Sequence, residues 1–379
     1  MNPSSPAPAE SRPTVAITGS TGLIGAALVD RLKHDYQVVG IDLDSPAHPT
    51  PGAHYIDCDL TDVAQVGDAL DELRKLSGGH LASVVHLAAY YDFSGEPSPL
   101  YDKLTVDGTR RLLDGLQTFK VEQFLFSSSM LVMKSSPDGD LITEESPTNA
   151  GWDYPRSKLD AEEAIRKHRG DIPAIALRIA GVYDELCHSI PIAQQAKRIY
   201  ERDIESHLYP GDQSHGQPFV HRDDVVDAVV QAIEKREAIE GFEVLLLAED
   251  DLMSYGALQD RLGQLIHGDD WTTCRIPKSV ARAGAWVKDR MDPDSQFIKP
   301  WMVDLADDHY PLDCSKAKQT LGWRPKHSLN EDLPQMIDRL KQDPRRWYEV
   351  NKLGEPPEKP LGKKLQEAID EAATPMEQP

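Results

Sequence analysis

The chain has 379 residues, of which 40% are hydrophobic, so it is long enough for two domains or one large fold carrying an inserted lobe. Its 41 basic residues against 63 acidic ones leave a net charge of −22, a field that repels phosphate backbones and anionic bilayers. Nucleic acid and membrane are thereby set aside as partners, whereas a small anionic ligand held by a helix N-terminus and a few local cations is still compatible.

Met1–Pro13, rich in Pro, Ser and Ala, reads as a flexible leader with no apolar signal-peptide core. The first predicted strand, Val15–Thr18, runs straight into Thr18-Gly19-Ser20-Thr21-Gly22-Leu23-Ile24-Gly25 and a helix that opens near Gly22. Glycines three residues apart at a strand-to-helix turn suit the close approach of backbone to a dinucleotide pyrophosphate. Gly19 makes the tight turn, Gly22 lets the phosphates in, and Gly25 lets the helix pack on the sheet. A second strand, Gln37–Ile41, ends at Asp42, whose carboxylate falls where adenosine ribose hydroxyls lie and would repel a 2′-phosphate. NAD is therefore expected rather than NADP. A third strand, His54–Ile56, leads to Asp59 and Leu60, which either contact the adenine or cap a helix starting near Thr61.

Ser83–His86 forms the next strand and is followed by Leu87, Ala88 and Ala89, small enough to leave room for a nicotinamide ribose. Tyr90-Tyr91-Asp92-Phe93 then offers either an aromatic pocket wall or packing against a second lobe. A helix begins near Pro99, a strand spans Gln123–Phe126 ahead of Ser127-Ser128-Ser129, a helix begins near Asp153, and a strand covers Ala174–Arg178. The strands are apolar almost throughout, as strands covered on both faces are, and their alternation with helices predicts an α/β fold with a doubly wound parallel Rossmann sheet. After Gly181 helical patterns prevail: Ile190–Glu201, Asp223–Glu234, Ser254–Ile266, Lys278–Asp289 and Leu329–Lys341, with Phe242–Leu247 as a strand that rejoins the sheet. The expected division is a leader over 1–13 and a dinucleotide domain over 14–180 with 219–248 returning to it. A smaller, mainly helical substrate lobe takes 181–218 and 249–345, and a polar tail takes 346–379 with one short helix around Lys363–Ala372.

Tyr154-Pro155-Arg156-Ser157-Lys158 sets a phenol and an ammonium four residues apart, on one face of a helix. A free phenol titrates near 10, so a neighbouring cation is needed for it to act as a base. Ser129, at the end of a strand, can donate a hydrogen bond to a reacting oxygen. Together these features resemble the extended short-chain dehydrogenase/reductase superfamily, which contains the NAD-dependent epimerases and dehydratases. Phe219-Val220-His221-Arg222-Asp223-Asp224-Val225 and Leu321-Gly322-Trp323-Arg324-Pro325 carry the likeness to the C-terminal half. The resemblance implies Ser129, Tyr154 and Lys158 as the catalytic triad, and NAD held by Gly19, Thr21, Gly22, Leu23, Ile24, Gly25, Asp42, Asp59, Leu60, Leu87, Ala88, Ala89 and Lys158. It also implies a homodimer.

Departures from the family pattern narrow the reaction. Thr105-Val106-Asp107-Gly108-Thr109 stands where an Asn-Val-x-Gly-Thr segment supports a water relay to the lysine. Met130-Leu131 replaces the acid pair that removes water, which argues against dehydration. Gly181 stands where an Asn is common, and Asp184 in place of a glycine is expected to add negative charge near the cleft. These features favour a secondary alcohol or ketone of low charge. A nucleotide-sugar epimerase with tightly bound NAD is an alternative, and a non-catalytic NAD(P)-sensing or scaffold protein is another. The acidic run Asp304–His309 reads as a solvated turn with no metal spacing. Cys58, Cys187, Cys274 and Cys314 read as buried thiols of a cytoplasmic protein.

Overall fold

The computed structural model describes residues 12–92, 96–283 and 300–357. Its centre is a seven-stranded, wholly parallel sheet. The strands are β1 (Thr14–Thr18), β2 (Gln37–Asp42), β3 (Ala53–Asp57), β4 (Ser83–His86), β5 (Phe124–Ser129), β6 (Ala174–Ile179) and, after two short strands of the lobe, β9 (Phe242–Leu247). Their order across the sheet is β9-β6-β5-β4-β1-β2-β3, reversing on either side of β1. The reversal opens a crevice at the carboxyl ends of β1 and β4, where ligands bind in open α/β sheets. The short strands β7 (Gly181–Tyr183) and β8 (Phe219–His221) pair in parallel beyond that same edge.

Both faces of the sheet are covered. On one side, α1 (Leu23–Leu32) and α6 (Arg222–Glu234) bury Leu28, Val29, Val225, Val229 and Ile233 against Val15 and Ile17. On the other, α2 (Val63–Ser77), α3 (Asp107–Leu116) and α4 (Asp153–His168) bury Leu73, Leu112, Leu116 and Ile165 against Ala16, Val39, Phe124 and Phe126. Each fully buried Leu, Ile or Val contributes roughly 1.5–3 kcal/mol of transfer free energy, so these two layers dominate the stability of the sheet. A third core joins α5 (Ile190–Tyr200), α7 (Tyr255–His267), α8 (Leu329–Gln342) and α9 (Pro344–Val350) through Ile192, Ile199, Leu262, Met336, Leu340 and Trp347.

Several local expectations shift. The helix expected near Thr61 starts at Val63, because the Asp62 carboxylate accepts from the Ala64 and Gln65 amides and caps it. The helix expected near Pro99 opens as one turn of π-helix, Tyr101–Val106, before α3. The strand expected at Gln123–Phe126 continues through the serines to Ser129, whose backbone stays in register with Ile179. Packed chain extends past residue 345, since Pro344 starts α9 and Trp347 and Tyr348 are fully buried. The helix expected over Lys278–Asp289 is described only over 278–283, and the expected tail helix lies outside the described residues. Cys274 is exposed, unlike the other three thiols, because it sits on a two-residue edge strand of the lobe.

The two motifs that carried the likeness to the C-terminal half hold each other. Asp224, buried in the first turn of α6, accepts from the Lys326 and His327 amides at 3.0 Å each, and its carbonyl accepts from the Trp323 indole at 2.8 Å. That clamp fixes the Leu321–Pro325 segment on the sheet and leads the chain back into α8. No helix among the described residues is long and apolar enough to cross a membrane.

Candidate active site

The glycine-rich turn forms a cradle with no room for a side chain at Gly19 or Gly25 but room for a Cβ at Gly22. Gly19 has φ +70°, and a Cβ there would lie 2.8 Å from the Ala88 nitrogen. A Cβ on Gly25 would stand 2.1 Å from the Gly19 carbonyl oxygen, whereas one on Gly22 would meet nothing closer than 3.4 Å. Gly22 begins α1 in extended backbone without a side-chain cap, and the Ser20 hydroxyl is buried without a partner. A helix N-terminus with open amides and an orphan hydroxyl beside it fits the pyrophosphate of a dinucleotide. Leu87 and Ala88 are tied to the same turn by N–H donation to the Thr18 carbonyl (3.1 Å) and hydroxyl (3.3 Å).

These distances separate packing from ligand approach. Gly25→Ala is expected to lose the folded domain or most of its thermal stability, because the clash is with backbone. Gly22→Ala should fold and melt like the parent, yet bind NAD at least roughly tenfold more weakly by calorimetry. Equal NAD affinity in Gly22→Ala would contradict pyrophosphate approach at that residue.

Asp42 is held by the same turn. Its Oδ2 accepts from the Thr21 amide and hydroxyl, both at 2.8 Å, and its Oδ1 from the Leu43 amide at 2.9 Å. Three donors orient the carboxylate at the end of β2, where it can accept from ribose hydroxyls. Asp42→Ala is expected to reduce the preference for NAD over NADP by roughly tenfold or more, read from the two dissociation constants. Asp59 turns back on its own loop, its carboxylate accepting from the Thr61 amide at 2.8 Å. The Leu60 side chain is buried against α3 beside Gly108, and its carbonyl already accepts from Arg111 at 3.0 Å. The Leu60 side chain is therefore a packing group, a role set by the close approach of α3.

The second group of residues lies at the carboxyl ends of β5 and the start of α4. Lys158 is buried, and its Nζ donates to the Ser127 carbonyl at 2.6 Å and lies 4.9 Å from the Phe126 ring centroid and 5.8 Å from that of Tyr154. Tyr154 is flanked by Tyr91 at 5.1 Å edge-on and by Trp152 at 5.6 Å. Tyr90 instead packs edge-on against Tyr101 at 4.8 Å, and Phe93 lies outside the described residues. Burial pushes the Tyr154 phenol up to about 12, with the Ser129 hydroxyl pulling the other way. Burial pulls the Lys158 ammonium down to about 7, opposed by the charge of Glu162. The phenol and ammonium thus share one helix face, and burial drives their proton affinities apart, the phenol upward and the ammonium downward, so a phenolate at neutral pH needs positive charge brought to it.

Sequence reasoning missed what lies beneath this pair. Glu162, one turn after Lys158, is buried and forms a two-point ion pair with Arg178 of β6 (3.0 and 2.8 Å), while the Ser128 hydroxyl donates to it at 2.5 Å. A lone arginine in the otherwise apolar strand AIALRI was the available signal, and the i,i+4 relation to Lys158 was another. A further chain starts at the cradle. The Thr18 hydroxyl donates to His86 Nδ1 (2.6 Å), and His86 Nε2 donates to the Thr109 hydroxyl (2.8 Å), which donates to the Thr105 carbonyl (2.5 Å). The last donation assigns the tautomer. Burial pulls His86 down to about 3, so it stays neutral and joins β1, β4 and α3 as a strut.

Two other expectations are corrected. Asp184 adds no free charge to the cleft: it is 1% exposed and accepts from Arg222 (3.0 Å), His188 (2.8 Å) and the Leu186 amide (2.9 Å). Burial pushes its carboxyl upward, but His188 and Arg222 outweigh it and hold the group below the usual range. The Asp304–His309 run is no solvated turn, because Asp307 pairs with Lys278 (2.8 Å) and accepts from the Asp212 amide (2.9 Å), while Asp308 accepts from Ser135 (2.9 Å). Asp107, in the relay segment, pairs with Arg110 and Arg111 at the surface. Among the described residues no group of three or more His, Cys, Asp or Glu side chains could hold a metal ion.

A doubly wound parallel sheet with this cradle and an acidic residue closing β2 defines a dinucleotide-dependent enzyme fold. The chain belongs to the NAD-dependent epimerase/dehydratase family, whose family model matches residues 15–248. It is 25% identical over 348 residues to a UDP-glucose 4-epimerase of Mycolicibacterium smegmatis, covering 85% of this chain and 96% of the relative. To a decarboxylating sterol-4-alpha-carboxylate 3-dehydrogenase of Candida albicans it is 23% identical over 365 residues, covering 88% and 99%. Among solved structures, UDP-glucuronic acid 4-epimerase from Bacillus cereus, in complex with UDP-glucuronic acid and NAD, superposes with a TM-score of 0.64 at 20% identity, covering 87% of this chain and 99% of that one. The protein is accordingly an NAD-dependent enzyme of the oxidoreductase and epimerase type, acting on a small molecule.

Proposed function

We propose that this enzyme moves hydride between the nicotinamide of NAD and a secondary alcohol or ketone, with Tyr154 as acid and base. The observation that carries this reading is the placement of half-buried Tyr154 and buried Lys158 on one face of α4, 5.8 Å from ring centroid to Nζ, with the Ser129 hydroxyl against the phenol. When bound, NAD supplies the hydride acceptor and, oxidised, a positive charge. Ser129 donates a hydrogen bond to the substrate oxygen and holds it against the phenol. Tyr154 Oη takes the hydroxyl proton as the carbonyl forms and returns it in the reverse direction. Lys158 lends positive charge to the phenolate and binds the nicotinamide ribose. The glycine cradle, Asp42 and the Leu87–Ala89 turn anchor the dinucleotide.

A nucleotide-sugar epimerase is the second reading. The bound or named substrates of the relatives favour it, and the neutralisation of Asp184 removes one argument against a diphosphate. The two readings are separated by absorbance at 340 nm with added NAD across a panel of alicyclic and aromatic secondary alcohols and UDP-glucose. Net NADH formation supports a dehydrogenase, and conversion of UDP-glucose to its 4-epimer without NADH supports the epimerase. Neither signal with any substrate, from protein that binds NAD, would sink both. We further propose a cytoplasmic homodimer, on family resemblance and on the four free thiols.

A further inference from the structure

The lobe contains a cavity of about 240 Å³ bounded by α5, α7, the turn at 208–217 and the segment 302–308. Its floor is a pair of tyrosines, Tyr209 and Tyr255, stacked at 3.6 Å and 9°. Apolar side chains, Phe219, Met253 and Leu258 among them, form most of the walls. Phe219 begins β8, which pairs with β7 directly after β6, so the cavity lies beyond the sheet edge that also carries Ser129 and Tyr154. The loop leaving Ser129 is tied to its wall, because the Ser135 hydroxyl donates to Asp308 at 2.9 Å.

Most polar groups on this wall are already engaged. The Asp308 carboxylate accepts from Ser135 and from the Tyr310 hydroxyl (3.0 Å), Tyr209 donates to the Ala306 carbonyl (2.7 Å), and Gln195 donates to Gln259 (2.9 Å). His215 Nδ1 meets the Asp307 carbonyl at 2.7 Å. Arg198, on α5, is not engaged in this way: the residue is half-buried, its Nε is enclosed with no hydrogen-bond partner, and among the described residues no carboxylate pairs with its guanidinium. An enclosed N–H on an always-charged guanidinium costs stability unless something accepts from it. The natural complement is a planar anion that accepts two parallel N–H bonds.

From this geometry we infer that the substrate carries an apolar ring body that packs against the stacked Tyr209–Tyr255 pair and a single carboxylate that pairs with Arg198. The inference rests on the alcohol or ketone reading above and names the kind of molecule that reading serves. The charge count sets the number of anionic groups at one. Arg198 contributes one positive charge, and Asp308 on the same wall opposes a second negative one. The volume, at the small end for ligand sites, also suits a compact ring acid better than a nucleoside diphosphate.

The test uses two probes of one shape, naphthalene-2-carboxylate and naphthalene-2-carboxamide, titrated into the NAD-loaded full-length protein by calorimetry or NMR. The carboxylate is expected to bind roughly tenfold or more tighter than the amide. In Arg198→Gln that ratio should fall to about one, and in Arg198→Lys part of it should return, since a point charge keeps the attraction but loses the fork. A ratio near one in the parent protein overturns the inference without any variant. So does uridine 5′-diphosphate binding tighter than naphthalene-2-carboxylate in an Arg198-dependent way, because the site would then be built for a dianion. The two readings fail separately. Absence of hydride transfer with an intact carboxylate preference defeats the alcohol or ketone reading alone. Hydride transfer without the preference defeats this one alone.

Discussion

Tyr154→Phe is expected to lower hydride transfer roughly a thousandfold while leaving NAD affinity within about twofold of the parent. The substitution deletes one oxygen and keeps the ring, so the contacts with Tyr91 and Trp152 persist and α4 keeps its first turn. What disappears is the proton acceptor. Burial holds the Tyr154 phenol near 12, too high for a base at neutral pH without added positive charge. That charge must come from Lys158 and from oxidised cofactor, so the loss should appear in kcat rather than in cofactor binding. Ser129→Ala should cost less, roughly a hundredfold, since the hydroxyl positions the substrate oxygen without exchanging its proton. Stopped-flow measurement of NADH formation with saturating NAD reads both effects. Parent-like rates in Tyr154→Phe would remove this residue from the chemistry.

The parts legible in the sequence were those whose cause is local. Apolar runs such as VAIT and AIALRI must be strands covered on both faces, and their alternation with helices requires the parallel sheet. The Gly19, Gly22 and Gly25 spacing has a steric cause within eight residues, which the 2.1 Å approach of a Gly25 Cβ to Gly19 makes explicit. What could not be read depended on partners distant along the chain. Asp184 looked like free negative charge because Arg222, 38 residues later, cannot be assigned to it before the fold is known. Trp323 and Asp224 were both noticed as parts of motifs, yet their separation of 99 positions hid that each motif is the other's anchor. Arg198 carried no pattern at all, because an unpaired arginine is visible only once its surroundings are. The π-turn at Tyr101–Val106 was likewise unreadable, since no residue in YDKLTV breaks α-helical geometry by itself.

Lys158→Met is expected to abolish hydride transfer and, at pH 6–7, to raise the unfolding temperature. The ammonium is 3% exposed and makes one hydrogen bond, to the Ser127 carbonyl. Burial lowers its pKa from 10.5 to about 7, opposed by Glu162. Between those two values the unfolded chain binds more protons than the folded one, so this group makes stability rise with pH across roughly pH 7 to 10.5. Below pH 7 both states are protonated and the full cost of burying the charge is present. Above pH 10.5 both are neutral and the cost is gone. Methionine fills similar space without a charge, and it leaves Glu162 satisfied by Arg178 and Ser128. The net gain at pH 6 should be of order 1–3 kcal/mol, or several degrees at about 2–4 °C per kcal/mol. It should shrink toward zero by pH 10, and comparing variant with parent at each pH cancels the other titrating groups. A variant that melts lower than the parent at pH 6 would show that the lysine charge stabilises this fold, and would contradict the burial cost on which its lowered pKa depends. Loss of activity together with gain of stability is the signature of a charge kept for chemistry at the expense of the fold.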